Sequence, residues 1–467
     1  MEPWRLTATD AAAMMARGEL TSVDVVESVL ERIDAHNGDV NALTSVDHDG
    51  ARTAAEKADE RRRAGGPIGP LHGVPVTIKG NLDVAGEPTT SGVAAFADKL
   101  APEDAPAVSN LRRAGAIVVG RTNLPEFGIR GTTFNPLFGR TANPWHPDAS
   151  PGGSSGGAGA AAAAGFGPLH QGSDIGGSLR FPAFGCGVAT IKPTSNRVPA
   201  FNPSSSAERG VLSQTISCIG MISPTVADVR LATEAMIAPD ARDPNSPPVP
   251  WCGPDLPAPL TVAVSHDWGP HAPHPGIAAL IDRAASQLGD AGYRVVEVAP
   301  PPIEEAFRSW LAAASTELAV GLGPVVDRFG SDDTRQLLEW TIEAGQLLDR
   351  DGYMWALGDR TRIQRAWNLF LDEHPLVLCP FMTQPMYDWD FDVRSFEAVN
   401  DVLERAMHAF GVNFLGLPAG VIGMDLVEDR PAGVQVLGRR YREDLVCDAL
   451  EAIEHRNGVM AERLWSS

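Results

Sequence analysis

Three short segments of this chain hold residues whose types and spacing could do acyl-transfer chemistry. The sharpest is Ser173-Asp174-Ile175-Gly176-Gly177-Ser178-Leu179-Arg180, where small residues precede a serine. Small residues let successive backbone N–H groups turn toward one point, as an oxyanion site requires, and one such donor is worth roughly 2.7–4 kcal/mol in rate. The competing reading makes Ser178 the cap of a short helix and Asp174 with Arg180 an ordinary ion pair. The second segment, Pro151-Gly152-Gly153-Ser154-Ser155-Gly156-Gly157, sets two hydroxyls between paired glycines. It lacks the Gly-Lys-Ser/Thr ending of a phosphate cradle and by itself reads as a turn. It matches G-x-S-x-G twice, but Asp148-Ala149-Ser150-Pro151 ahead of it reads as loop, whereas a nucleophile elbow needs a strand there. The third is Lys79, which closes the apolar run Val74-Pro75-Val76-Thr77-Ile78 and is followed by Gly80-Asn81. An amine held there is desolvated, and desolvation lowers its pKa toward that of a base working near neutral pH. Taken alone, the lysine is better accounted for by a structural ion pair with a carboxylate such as Asp83.

Taken together, the segments carry more than each does alone. Leu71 to Lys79, Pro151 to Gly157, Ser173 to Ala183 and Ile191-Lys192-Pro193-Thr194 resemble, in order and spacing, the signature of the amidase signature family. Gly120 to Phe127, Ala142-Asn143-Pro144-Trp145, Ser223 to Asp228, Gly416-Leu417-Pro418-Ala419 and Gly433 to Gly438 extend the resemblance to residues 5–240 and 375–455. It implies an α/β chain in which a large, twisted, mixed β-sheet is covered on both faces by helices. It also implies a Ser-Ser-Lys triad for amide hydrolysis through an acyl-enzyme, with Ser178 as nucleophile, Ser154 as proton relay entered through a cis peptide, and Lys79 as base. The amides of Ile175, Gly176, Gly177 and Ser178 would hold the oxyanion, Ser155 would support the relay, and Asp174 with Arg180 would fix the loop. Four positions depart from the family pattern: Gly80 stands where an aspartate is common, Thr190 and Asn196 replace glycines, and Ser173 replaces a threonine.

The elements that must position these residues are legible as patterns. Thr21 and Asp24 form a capping box, and Val23, Val26, Leu30 and Ile33 recur at helical spacing, so residues 7–36 read as helical. A charged helix follows over residues 51–64. Val74 to Ile78 and Ala116 to Gly120 read as buried strands, the second preceded by a helix through Val108, Leu111 and Ala114. The alanine run 158–165 suits a helix lying close against a sheet. Residues 261–300 return to strand and helix, 301–374 read as mainly helical, and Leu376 to Cys379 and Asn413 to Pro418 resemble strands. The expected division is an N-terminal helical segment over 1–65, the signature core over 66–240, a variable, more helical pocket region over 241–374 and the rest of the core over 375–467, all one amidase domain.

Composition narrows the function. The 467 residues carry a net charge of −21, which disfavours a nucleic-acid partner because phosphate backbones are gripped by basic patches. No run of 18 apolar residues offers a membrane span. The N-terminus has no secretory pattern, and five widely spaced cysteines suggest free thiols, so the expected location is cytoplasmic. No HExxH or clustered His/Asp set supports a metal, and no cofactor is expected. The expected partner is a small-molecule amide, an ester or carbamate being conceivable, and a homodimer accords with the family. Trp310, Trp340, Trp355, Trp367 and Trp389, with Tyr353, Met354, Met382, Met386 and Tyr387, fall where the family varies, and an apolar or aromatic pocket built from them competes with a plain core role. Two other enzymes compete: the glutamine-hydrolysing component of a tRNA-dependent amidotransferase, and an α/β-hydrolase esterase drawing on His374, His408 or His455.

Overall fold

The computed structural model describes residues 2–266 and 270–466. Its strands are β1 (Leu43–Val46), β2 (Pro75–Lys79), β3 (Ile117–Thr122), β4 (Phe134–Asn135), β5 (Gly139–Arg140), β6 (Leu169–Asp174), β7 (Ala189–Lys192), β8 (Cys218–Ser223), β9 (Thr261–Val264), β10 (Arg294–Glu297), β11 (Leu376–Cys379), β12 (Ala419–Val427) and β13 (Arg430–Gly438). Eleven form one sheet in the order β1-β3-β2-β6-β8-β7-β12-β13-β11-β9-β10, and β4 pairs with β5 apart from it. Pairing is parallel for β3/β2, β2/β6, β11/β9 and β9/β10, and antiparallel elsewhere in the sheet, which is therefore mixed.

Every residue of β2, β3, β7, β8 and β11 is buried, so the central strands are covered on both faces, which is why they read as continuous apolar runs with no alternation. The alanine-rich helix Gly156–Ala164 is buried at all nine positions. Its lack of side-chain bulk is required, because a Cβ on Gly157 would lie 2.4 Å from the Asn123 nitrogen and 2.6 Å from the Ala42 oxygen.

Two expected elements differ. Residues 7–36 form two helices, Ala8–Arg17 and Ser22–Val40, separated where Gly18 takes φ 74° and where the Thr21–Asp24 capping box starts the second. Asn413 to Leu415 end the helix Met407–Leu415, Gly416 at φ 72° stops it, and the strand begins only at Ala419. A short apolar run has no period with which to tell a buried helix end from a strand. The stretch Ile303–Phe329 is long and apolar enough by length and composition to cross a membrane. Its residues Ala306, Phe307, Trp310 and Leu311 belong to the core.

Candidate active site

The site forms where two parallel strands end side by side. β2 delivers Lys79 and β6 delivers Ser173 and Asp174, and the Lys79 amide donates to Gln171 Oε1 of β6 at 3.1 Å. The loop ahead of the helix Gly156–Ala164 brings Ser154 and Ser155 onto the same point, with a cis peptide between Gly153 and Ser154. Gly172 is what admits Ser155, since a Cβ there would meet Ser155 Oγ at 2.8 Å.

Lys79 is fully buried, and its Nζ lies 2.8 Å from Ser154 Oγ, 2.9 Å from Ser155 Oγ and 3.2 Å from Ser173 Oγ. Asn81 Nδ2 donates to Ser173 Oγ at 3.2 Å and holds that third hydroxyl in place. Among the described residues no carboxylate pairs with Lys79. Asp83 instead accepts from Thr89 Oγ1 at 2.6 Å and from Ser204, which removes the structural ion pair as an account of this lysine. Gly80 leaves no carboxylate beside it either, and a Cβ there would meet Leu124 Cδ2 at 2.9 Å. Burial therefore pushes the Lys79 ammonium down to about 7, only partly opposed by the charge of Asp174.

Asp174 and Arg180 organise the turn that presents Ser178. The guanidinium holds both carboxylate oxygens at 3.0 Å, and the side chains of both are fully buried. Gly177 N donates to Asp174 Oδ1 at 2.8 Å, Leu179 N to Oδ2 at 3.1 Å, and Asn413 Nδ2 to Oδ1 at 2.9 Å. Burial would raise the carboxyl, but the Arg180 charge and hydrogen bonds outweigh it and bring Asp174 down to about 2. Of the four amides expected to hold an oxyanion, the Gly177 N–H donates to Asp174, while those of Ile175, Gly176 and Ser178 have no partner among the described residues. Arg180 reaches on to Gln435 Oε1 at 2.9 Å and the Ala409 carbonyl at 3.0 Å, tying the turn to the C-terminal part of the chain.

Asp174→Asn is expected to lower unfolding stability at pH 7 by about 3–5 kcal/mol, because it leaves a buried guanidinium without its counter-charge. Denaturant melts of the two proteins measure this. Because the folded pKa is the lower one, the Asp174 contribution is complete above about pH 4, the ordinary carboxyl value, and is lost as pH falls toward 2.

Ser178 is partly exposed, and its Oγ has no hydrogen-bond partner among the described residues. It lies on the walls of two cavities. One, of about 520 Å³, is also lined by Ser154, Ser173, Phe127 and Asn81. The other, of about 140 Å³, is apolar and is lined by Phe181, Trp310, Leu337, Val399 and Phe410. Of the five tryptophans singled out in the sequence, Trp310 alone lines either cavity. Trp367 is core, Trp355 is 77 % exposed, and Trp389 packs on Phe134. Among the described residues no histidine lines either cavity; His408 borders a different one, with burial pushing it down to about 4.

The departures at the neighbouring loop are accommodated. Thr190 Oγ1 donates to the Met221 carbonyl at 2.7 Å, and Asn196 sits at φ 65°. Sequence reasoning passed over Ser173 as a site residue, although the hydroxyl it shares with the usual threonine was the available signal. It missed Asn81, Gln171 and the braces of the cavity wall. Glu126 there accepts from Thr334 Oγ1 at 2.6 Å, and Arg130 holds Asp392 at 2.8 Å.

Known proteins resemble this chain over most of its length. The Amidase family profile matches residues 24–447. An indoleacetamide hydrolase of Bradyrhizobium diazoefficiens is 44% identical over 465 residues, 99% of this chain and 89% of its own. The glutamyl-tRNA(Gln) amidotransferase of Chloroflexus aurantiacus contributes a more remote relative, its A subunit, which is 30% identical over 94% of each chain. The crystal structure of a bacterial aryl acylamidase of the amidase signature enzymes superposes with a TM-score of 0.84 at 25% identity, covering 98% of this chain and 97% of its own. With the signature segments brought together around one buried lysine, and with a fold shared with an amidase signature enzyme, this chain belongs to the amidase family and is an amide-hydrolysing enzyme.

Proposed function

We propose that the enzyme hydrolyses a primary amide of an arylacetic acid, such as indoleacetamide, through Ser178, Ser154 and Lys79. The observation that carries this reading is the aromatic-walled cavity of about 140 Å³ that opens onto Ser178, in a chain 44% identical to an indoleacetamide hydrolase. The flat acyl group packs into the cavity walled by Trp310, Phe181 and Phe410, with its carbonyl carbon at Ser178 Oγ. Neutral Lys79 takes the proton of Ser154 as Ser154 takes that of Ser178, whose oxygen attacks the carbonyl. The Ser154–Lys79 contact supports this path, and the Ser178 hydroxyl, with no competing partner among the described residues, is free to turn to Ser154 when substrate arrives. The amides of Ile175, Gly176 and Ser178 stabilise the oxyanion. The proton returns through Ser154 to the nitrogen, the C–N bond breaks, and ammonia leaves by the wider cavity. Water then attacks the acyl-enzyme along the same path and releases the carboxylic acid.

The reading also includes a cytoplasmic enzyme working on a small molecule; five unpaired cysteines, four of them buried, support a reducing compartment. Ammonia release from indoleacetamide, phenylacetamide, acetamide and glutamine tests the substrate. Burying an aromatic ring is worth about 2–3 kcal/mol, so the two aryl amides should exceed acetamide in kcat/KM by about 30- to 160-fold. A preference for acetamide would overturn the pocket assignment. Glutaminase activity that appears only with a copurifying protein would favour the amidotransferase component instead.

A further inference from the structure

The oxyanion loop carries one bond that comes from outside it. Trp310, 7 % exposed on the helix Ile303–Glu317, donates its indole Nε1–H to the Ile175 carbonyl at 3.1 Å. That carbonyl and the Gly176 N–H belong to one peptide unit, and the unit is trans. In a trans peptide the C=O and N–H point in opposite directions, so holding the carbonyl fixes the direction of the amide hydrogen. The indole thus draws the Ile175 oxygen to one side and leaves the Gly176 N–H, which has no partner among the described residues, aimed to the other. The same ring lies 4.5 Å from the ring of Phe410, and both press on Gly176, where a Cβ would come within 2.9 Å of each. Trp310 also walls the cavity that Ser178 opens onto.

We infer that Trp310 is a positioning residue for the Gly176 oxyanion donor and that it links occupation of the acyl cavity to the orientation of that donor. The inference rests on the reading of Ser178 as nucleophile and of the Gly176 amide as oxyanion donor. An aromatic acyl group packed against the indole holds the ring in place, and the ring holds the 175–176 peptide. A donor bond of this kind also polarises the peptide and strengthens the opposite N–H as a donor. The consequence is a residue whose N–H acts on the transition state while its ring face acts on binding.

Trp310→Phe keeps a ring in the wall and removes the N–H. Its kcat for the preferred aryl amide is expected to fall about 10-fold, with KM within about twofold, because the lost interaction matters only when charge develops on the carbonyl oxygen. Affinity for an arylboronic acid, which forms a tetrahedral adduct on the serine, should fall by the same factor. Leu337→Ala, which thins another part of the same wall and leaves the indole donor, should raise KM by a larger factor than it lowers kcat. Unchanged kcat and boronate affinity in Trp310→Phe would overturn the inference, as would an equal fall of kcat in Leu337→Ala. Should Trp310→Phe fail to fold, as a thermal melt would reveal, replacing Trp310 with its isosteric sulfur analogue benzothienylalanine removes the same N–H and is read by the same two outcomes. Ser178→Ala run alongside separates the two levels: if it stays active the underlying reading fails, and if it is inactive while Trp310→Phe is unaffected only the inference does.

Discussion

Ser178→Ala is expected to reduce kcat/KM for amide hydrolysis by about 10⁵-fold while leaving the fold intact. The magnitude follows from losing the nucleophile, after which only oriented binding and the oxyanion donors can assist attack by water. The fold should survive because Ser178 Oγ is partly exposed and has no hydrogen-bond partner among the described residues. The turn around it is instead held by backbone groups and by Asp174, and the Ser178 carbonyl still accepts from the Ser155 amide at 3.2 Å. Single-turnover assays with an aryl amide, together with mass spectrometry of the intact protein under turnover, measure this. A covalent acyl adduct should appear in the wild type and be absent from the variant. Activity within tenfold of wild type would remove Ser178 as nucleophile.

Lys79→Met is the second large effect, expected to cost about 10³-fold at pH 8, within the range that a positioned acid–base group contributes. Its distinguishing mark is the pH profile. With the amine near pKa 7, wild-type kcat/KM should fall about tenfold per unit below pH 7, where the ammonium can only donate, and level off above it, where the amine accepts a proton. The variant should lose that limb, since the remaining neighbours of the site are hydroxyls that do not titrate there. The shift has a clear cause: complete burial among three serine hydroxyls with no carboxylate partner among the described residues, a consequence of Gly80. If Lys79→Met stays fully active, the proton path through Ser154 is wrong and a histidine-dependent hydrolase must be reconsidered. The placement of His408 away from both cavities already weighs against that alternative.

What the sequence determined by itself was whatever is encoded locally. The segments around Lys79, Ser154 and Ser178 each left a structural reading open, but in order and spacing they resemble the amidase signature family, and that resemblance implied amide hydrolysis. The Thr21–Asp24 box, the buried strands β2 and β3 and the thin helix Gly156–Ala164 could be read from the residues themselves, through capping, uninterrupted apolar runs and missing bulk. Only the tertiary structure decided matters that depend on partners distant in the chain. Asn413 to Leu415 are helix, although the apolar run they open has no period of its own. The Gly177 N–H is occupied by Asp174, because Arg180 and Asn413 converge to orient that carboxylate. Trp310 became the one site tryptophan of five because its helix packs beside Phe410 and reaches Ile175 across 135 residues of sequence. Spacing along a chain constrains neighbours within a turn or a strand; which distant side chain completes a hydrogen bond is settled by how helices pack onto the sheet.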